Sequence, residues 1–382
     1  MMSEVRHPIL LDPFVGTGTS IVASALLGIP AIGVDLDPFS ALLSRAHIAT
    51  RADPRSITKL LGGSAAAECS FPDKANELFR PSDLRFAARV LDKVRRSVVT
   101  KSDGRSVLDS LLNDPLGNFD SEVVALAALC VAAAGAAKVV RGSNPVWLRK
   151  ALPGEIGWSP RLETLARSVS ERMVSDISSL PIELSNRDIR IFSEDFRHTS
   201  LQPGRATLVL TSPPYLNRLD YVVSHLPSLV ILGGLARISI DDLRSAMIGT
   251  TKIVDKGIAL ESWGTTCLTF MESVRRHPSK ASASYYYWIY YKYFNDIYIS
   301  LEHLRRLVEP GGRGAFVIRT SFYKNVPVPI PQVFAEMAAN QGIGARVARS
   351  EIIKTPLGGM SPRQSRYVPR KILEECVLAL EF

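Results

Sequence analysis

Two stretches of this chain hold residues whose types and spacing can do chemistry. The first is TSPPYLNRLDY, residues 211–221, which follows the apolar run ATLVL. The adjacent prolines 213 and 214 fix φ and remove two backbone donors, so they end a strand and keep the nearby carbonyls out of a helix ladder. What remains is a cluster of acceptors: the Ser212 hydroxyl, its carbonyl and the Pro213 carbonyl, with the Tyr215 ring next to them. A group that donates hydrogen bonds suits them. Asn217, Arg218, Asp220 and Tyr221 come next, past the carboxyl end of the strand, where open α/β sheets bind ligands. They either line a pocket or cap the helix VVSHLPSLVIL, and loop polarity does not separate the two.

The second stretch is LLDPFVGTGTSIVASALLGIPAIGVDLDP, residues 10–38. A strand ends at Asp12, a turn with Gly16 and Gly18 follows, Thr19 and Ser20 are placed to cap, and IVASALL begins a helix. Glycines let a backbone approach a ligand closely, and a helix N-terminus offers unpaired N–H groups to an anion. Seventeen residues after Gly18 a second strand ends at Asp35, where a carboxylate can accept both hydroxyls of a ribose. The third glycine of GxGxxG is missing and no GK[ST] follows, so this stretch alone leaves both a structural turn and a cofactor site open.

Together, DPFVGTGTS, GVDLDP and TSPPY resemble the S-adenosylmethionine-dependent amino-methyltransferases of DNA. That family carries a D-P-F-x-G-x-G-T cofactor motif and a [DNS]-P-P-[YF] catalytic motif. The serine form is most similar to the cytosine-N4 branch, and the order of motifs is the unpermuted one. The resemblance implies a class I, Rossmann-like methyltransferase domain, S-adenosylmethionine as cofactor, no metal, and double-stranded DNA with an extruded base as substrate. A cognate restriction endonuclease is an optional partner of such enzymes. Residue by residue, it implies that Asp12, followed by Pro13 and Phe14, accepts from the cofactor's amino group, while the backbone of Gly16, Thr17, Gly18 and Thr19 receives its carboxylate. Asp35 would hold the ribose and Leu36 pack the adenine. Asp195, in IFSEDFRH, would accept from the adenine amino group with Phe196 against the ring; on its own chemistry it also reads as a helix cap. Ser212, Pro213, Pro214 and Tyr215 would be catalytic, holding the hydrogens of an exocyclic amine and stacking on the base. Adenine N6, guanine N2 of RNA, and a non-catalytic DNA-binding protein on a decayed scaffold are the alternatives. The last arises because only about nine residues precede the first strand, where family members carry a segment that closes over the cofactor.

These motifs need a frame. HPILLDPF, AIGVDL, IRIFSED, ATLVLTS, GAFVIRT and ECVLALEF read as buried strands, and their alternation with helical stretches predicts a mostly parallel sheet covered on both faces. Residues 1–51 and 188–382 then form the catalytic domain. Residues 52–187 show no strand-like alternation and read as a helical insertion and candidate target-recognition region, with helices in SDLRFAARVLDKVRRS and the alanine-rich run 123–137. In ASYYYWIYYKYFNDIYISLEHLRRLVEPGG aromatic residues cover all sides of a helix, which predicts mainly core packing, and Gly311–Gly312 read as that helix's end.

Composition sets the limits. With 46% hydrophobic and 22% charged residues over 382 positions, the chain is globular and large enough for a full core. The four cysteines are widely spaced, so neither a disulfide framework nor a zinc site is expected, and a reducing cytoplasm fits. No signal peptide or membrane span is apparent. A net charge of +9 favours a polyanionic partner. Candidate phosphate contacts are Arg89, Lys93, Arg95, Arg96, Lys101 and Arg105; Arg141, Arg149 and Lys150; and Arg363, Arg366, Arg370 and Lys371, with 357–367 as a basic clamp loop.

Overall fold

The structure is a computed structural model. It describes residues 8–64, 67, 69–99, 105–114, 116–141, 148–152, 155, 160–181, 188–216, 220–253, 256–353 and 373–382. One sheet is built from β1 (Leu10–Asp12), β2 (Ala31–Asp35), β3 (Ile189–Ser193), β4 (Ala206–Thr211), β5 (Val308–Arg319), β6 (Gly344–Ile352) and β7 (Glu374–Glu381). Its order is β3-β2-β1-β4-β5-β7-β6. The pairs β2/β3, β1/β4 and β4/β5 are parallel, and β7 runs antiparallel to both β5 and β6. Helices lie on both sides, so the fold is α/β with a mostly parallel sheet, consistent with a Rossmann-like methyltransferase.

The central strands follow from their sequences. All three residues of β1 are buried, as are five of the six in β4, which is why these segments read as continuous apolar runs rather than alternating ones. Strand order reverses between β1 and β4, a topological switch point, and parallel sheets bind ligands outside the carboxyl ends of strands at such a point.

The chain divides into two compact units. One comprises Val15–Glu194 and Asp220–Leu243. Its main helices are α1 (Thr19–Leu27), α2 (Pro38–Ala46), α3 (Pro81–Val99), α4 (Asp120–Ala136) and α5 (Leu162–Ser178). α2 starts where Asp37 accepts from the Phe39 N–H (2.9 Å), with proline at its first position. α3 and α4 bear out the expected helices of the 52–187 segment. α4 is buried nearly all round and packs on α2, α5 and Leu226–Leu232, as an alanine-rich helix without a polar face must. Expectation failed at Val139–Arg141 and Leu148–Lys150, which pair as a small antiparallel hairpin inside a segment read as strand-free. Three-residue strands are too short to show a period.

The other unit comprises Met1–Phe14, Asp195–Leu219 and Arg244–Phe382, with α6 (Tyr287–Leu307) as its longest helix. Tyr290, Tyr293 and Phe294 of α6 are buried, and Phe270 meets Tyr290 edge-on at 5.0 Å. The reading of Gly311–Gly312 as a helix end needs correction. α6 stops at Leu307 and Val308 is already extended, so both glycines fall inside β5. Gly311 has φ +82°, and a Cβ on Gly312 would meet Val308 Cγ1 at 2.4 Å and the Glu309 carbonyl at 2.9 Å, so what the pair serves is an irregular strand entry. Among the described residues no helix is long and apolar enough to cross a membrane.

One ion pair tests the packing of the first unit. Arg45 of α2 and Asp120 of α4 meet at 2.5 Å with side chains 4% and 1% exposed. Truncating Asp120 to Ala strands the guanidinium, and chemical denaturation should show a loss of about 3–5 kcal/mol, whereas Arg45→Met with Asp120→Leu recovers most of it.

Candidate active site

The acceptor cluster sits at the carboxyl end of β4. Ser212 is exposed, and its hydroxyl donates to the Val317 carbonyl of β5 at 3.1 Å, with the Tyr215 hydroxyl 3.3 Å away. A hydroxyl whose proton is committed in this way keeps acceptor capacity for another donor. The Pro214 carbonyl accepts from the Tyr293 hydroxyl of α6 at 3.0 Å, so of the local carbonyls this one is already used. Ser321 donates to the Leu216 carbonyl at 3.0 Å, which fastens the end of the turn. Pro213 is buried and Tyr215 half-buried.

Asp12 ends β1 and is 4% exposed. Its Oδ1 accepts from Thr211 Oγ1 at 2.5 Å and from the Phe14 N–H at 3.1 Å, so a carboxylate that would be costly to bury unpaired is satisfied across the switch point. Pro13 is buried, and Phe14 meets Phe196 edge-on at 6.1 Å.

Asp195 lies just beyond β3. Its Oδ1 accepts from the N–H (3.0 Å) and Nε (2.9 Å) of Arg197 and its Oδ2 from Nη2 at 2.5 Å, while Arg197 also reaches Asp296 of α6 and the Ala246 carbonyl. Lys292 closes the network onto Asp296 at 2.7 Å. Burial pushes the Asp195 pKa up, but the hydrogen bonds and charge of Arg197 outweigh it and leave the carboxyl below its ordinary value. Among the described residues Oδ1 of Asp195 has two donors and Oδ2 one, which leaves one acceptor position for an incoming N–H. The cap reading holds as well, since Asp195 precedes the 3₁₀ turn Phe196–His198.

In the other unit, Gly16 (φ +52°) and Gly18 (φ +90°) make the turn before α1. A Cβ on Gly18 would stand 2.5 Å from Ser44 Oγ, so the close contact it permits is with α2. The N-cap of α1 is Gly18 itself, without a side-chain cap, and Thr19 and Ser20 lie inside the helix rather than capping it. Thr17 and Thr19 are exposed, and the Thr17 carbonyl lies 2.7 Å from His47 Nδ1. Asp35 ends β2 half-buried, its Oδ2 accepting from the Gly16 N–H and its Oδ1 from the Asp37 N–H, both at 2.8 Å. Leu36 is half-buried next to it. Asp220 accepts from the Val223 N–H at 3.0 Å and caps the helix that Tyr221 opens, the simpler of its two readings. His225 follows, with Nδ1 2.5 Å from Asp37 Oδ2.

A pattern unites the acids. Asp12, Asp35 and Asp195 each stand at or just past a strand end and each accept from the N–H two residues on, as an Asx turn does. The carboxylates are therefore aimed by their own backbone. Sequence reasoning found these acids but gave no role to Thr211, Arg197, Tyr293, Asp296 or His225. Thr211 and Arg197 adjoin the motifs; the ties of Arg197 to Asp296, Tyr293 to Pro214 and His225 to Asp37 span 99, 79 and 188 residues and give no local signal.

The candidate basic surfaces are partly consumed. Lys93 donates to the carbonyls of Lys59 (2.8 Å) and Leu60 (3.3 Å) and to that of Gly62, capping the helix Pro54–Leu61, so it is corrected to a structural residue. Arg95 donates to the Gly234 carbonyl at 2.9 Å, Arg96 pairs with Asp92, and Arg149 with Glu155. Arg89 lies over the Phe86 ring, and Arg105 is exposed. Asn217, Arg218, Lys101, the loop 357–367, Arg363, Arg366, Arg370 and Lys371 lie outside the described residues, as do the side chains of Arg141 and Lys150.

The linkage of Asp195 carries a definite sign. Its folded pKa is depressed, so the stability it contributes is present above the unfolded value of about 3.9 and lost as pH falls through the lower folded value. Arg197→Met should move the Asp195 carboxyl resonance to titrate at higher pH than in the parent, and shift acid unfolding upward with it.

In sequence the chain is similar to the type II methyltransferase M.BsoBI of Geobacillus stearothermophilus, with 24% identity over 265 residues, 63% of this chain and 50% of that protein. The chain thus spans about half the length of the curated relative it matches. No family model and no solved structure matches it.

Proposed function

We propose that this protein is an S-adenosylmethionine-dependent DNA methyltransferase acting on an exocyclic amino group, cytosine N4 in the first place. The similarity to a type II methyltransferase and the Rossmann-like sheet support the class. The observation that carries the chemistry is the Ser212 hydroxyl, exposed at the end of β4 with its proton on the Val317 carbonyl.

The cofactor reading is supported by three carboxylates at strand ends. Asp195 retains an acceptor position suited to the adenine amino group, with Phe196 beside it, and Asp35 is held by two backbone N–H groups in an orientation suited to a ribose diol. Asp12, Pro13 and Phe14 complete β1, and the Gly16, Thr17, Gly18 and Thr19 backbone is the proposed cradle of the carboxylate, with Leu36 against the adenine. When bound, S-adenosylmethionine supplies an electrophilic methyl carbon. The residues of this chain have the remaining work of orienting the nucleophile. An exocyclic amine is a poor nucleophile because its lone pair is delocalised into the ring. Acceptors on its two hydrogens, the Ser212 hydroxyl and the Pro213 carbonyl, favour the tetrahedral nitrogen that attacks. Pro214 keeps the turn free of a competing donor, and Tyr293 holds its carbonyl. Tyr215 is the proposed stacking partner of the extruded base, and Asn217, Arg218, Asp220 and Tyr221 belong to the proposed substrate side. Residues 1–51 and 188–382 are the proposed catalytic domain and 52–187 the proposed target-recognition segment; a cognate endonuclease is an optional partner.

Nucleoside mass spectrometry of plasmid DNA from cells expressing the chain provides the test. N4-methylcytosine is expected, absent with Pro214→Ala and reduced about 10²–10³-fold in rate with Ser212→Ala, the size typical of losing one transition-state hydrogen bond. N6-methyladenine would overturn the choice of base, and no modified base, together with no binding of S-adenosylmethionine, would overturn the enzyme.

A further inference from the structure

The aromatic crowd ahead of and within α6 is sorted by the fold into two sets. Tyr290, Tyr293 and Phe294 are buried and fill the core. Tyr285 is 39% exposed, and Tyr286, Tyr287 and Trp288 are only half-buried. Tyr285 and Tyr286 are carried on a π-helical turn, Ser282–Tyr286, entered through Ala281 with φ +64°, and Tyr287 and Trp288 open α6 directly after it; π turns concentrate at functional sites. The rings adjoin one another: Tyr285 meets Tyr286 at 5.2 Å and Tyr287 meets Trp288 at 5.0 Å. Lysines stand over them, Lys256 Nζ 5.3 Å from the Trp288 ring and Lys324 Nζ 5.4 Å from that of Tyr286. Arg275 and Lys280 nearby are exposed, while Arg276 pairs with Glu272 and Lys292 with Asp296.

This surface is tied to the proposed catalytic turn within its own unit. The hairpin Ser321–Tyr323/Val326–Val328 holds Leu216 through Ser321 at one end. Further along, Tyr323 meets Ser282 Oγ at 2.5 Å and the Tyr286 ring at 5.3 Å.

We infer that the platform of Tyr285, Tyr286 and Trp288 with Lys256, Lys280 and Lys324 binds an unpaired stretch of DNA strand beside the target base. Solvent-accessible rings beside cations form the arrangement that single strands use: bases stack on rings and phosphates meet ammonium groups. An apolar protein partner would not call for the lysines, and a duplex keeps its base faces covered. The inference rests on the DNA reading above and adds to it a surface and a strand state.

Fluorescence anisotropy of the full chain with a labelled twenty-nucleotide oligothymidine and with a labelled duplex tests it. The single strand should bind. Tyr285→Ala should weaken it about five- to 150-fold, the range of one lost base stack, and adding Trp288→Ala should weaken it further. Tyr285→Phe should restore binding, and Lys280→Glu with Lys324→Glu should flatten its dependence on salt. S-adenosylmethionine affinity, measured by calorimetry, should be unchanged throughout, which separates loss of the platform from loss of the fold. Platform variants that bind the single strand as the parent does would overturn the surface and leave the DNA reading standing. A parent chain that holds S-adenosylmethionine but neither probe would overturn both.

Discussion

The hydrogen bond from Thr211 Oγ1 to Asp12 Oδ1 joins residues 199 positions apart at the ends of two adjacent parallel strands, where the order of the sheet reverses. It meets two requirements at once. A carboxylate 4% exposed needs a donor to stay charged, and two strands whose following segments diverge need their ends held in register. The turn after Thr211 begins from a fixed point, so the Ser212 hydroxyl and Val317 carbonyl come within bonding distance without long side chains. Remove that constraint and the acceptors after β4 lose their reference to β1.

The same economy governs the other acids. Each takes the N–H two residues on, a bond local in the chain; Asp12 and Asp35 then add a longer-range partner, Thr211 and Gly16, while Asp195 adds the side chain of the same Arg197. The local bond aims the group and the second one locks it. Arg197 adds charge to geometry, because its tie to Asp296 of α6 anchors the cation that keeps Asp195 ionised.

This division explains what could be read from residues alone. Asp12 and Asp35 were legible because a strand end, an acid and a following turn are consecutive, Asp195 was reached through the family resemblance, and the paired prolines carry their meaning in covalent structure. Six of the seven strands of the sheet were legible as apolar runs; β6 was missed, because its residues are almost all exposed and carry no such run. The contacts of Arg197 with Asp296, 99 residues away, and of Tyr293 with Pro214, 79 away, leave no local trace. Lys93 shows the converse error: a cation on a helix looks solvated until the fold presents it with the carbonyls of Lys59, Leu60 and Gly62. Gly311 and Gly312 misled for a similar reason, since a glycine pair marks an unusual backbone without saying whether a helix or a strand contains it.

The bond from Ser212 to the Val317 carbonyl has a direction, and the direction limits what this site can become. The motif that TSPPY resembles admits serine, asparagine or aspartate at its first position. Serine and asparagine both own a donor for that carbonyl; an ionised aspartate does not, and would set two acceptors against each other. Passage from serine to aspartate here is therefore a step through a repulsive intermediate unless β5 shifts as well. A position that appears freely interchangeable in one dimension is coupled to a backbone oxygen 105 residues away, and drift among the three residue types would be channelled by that oxygen.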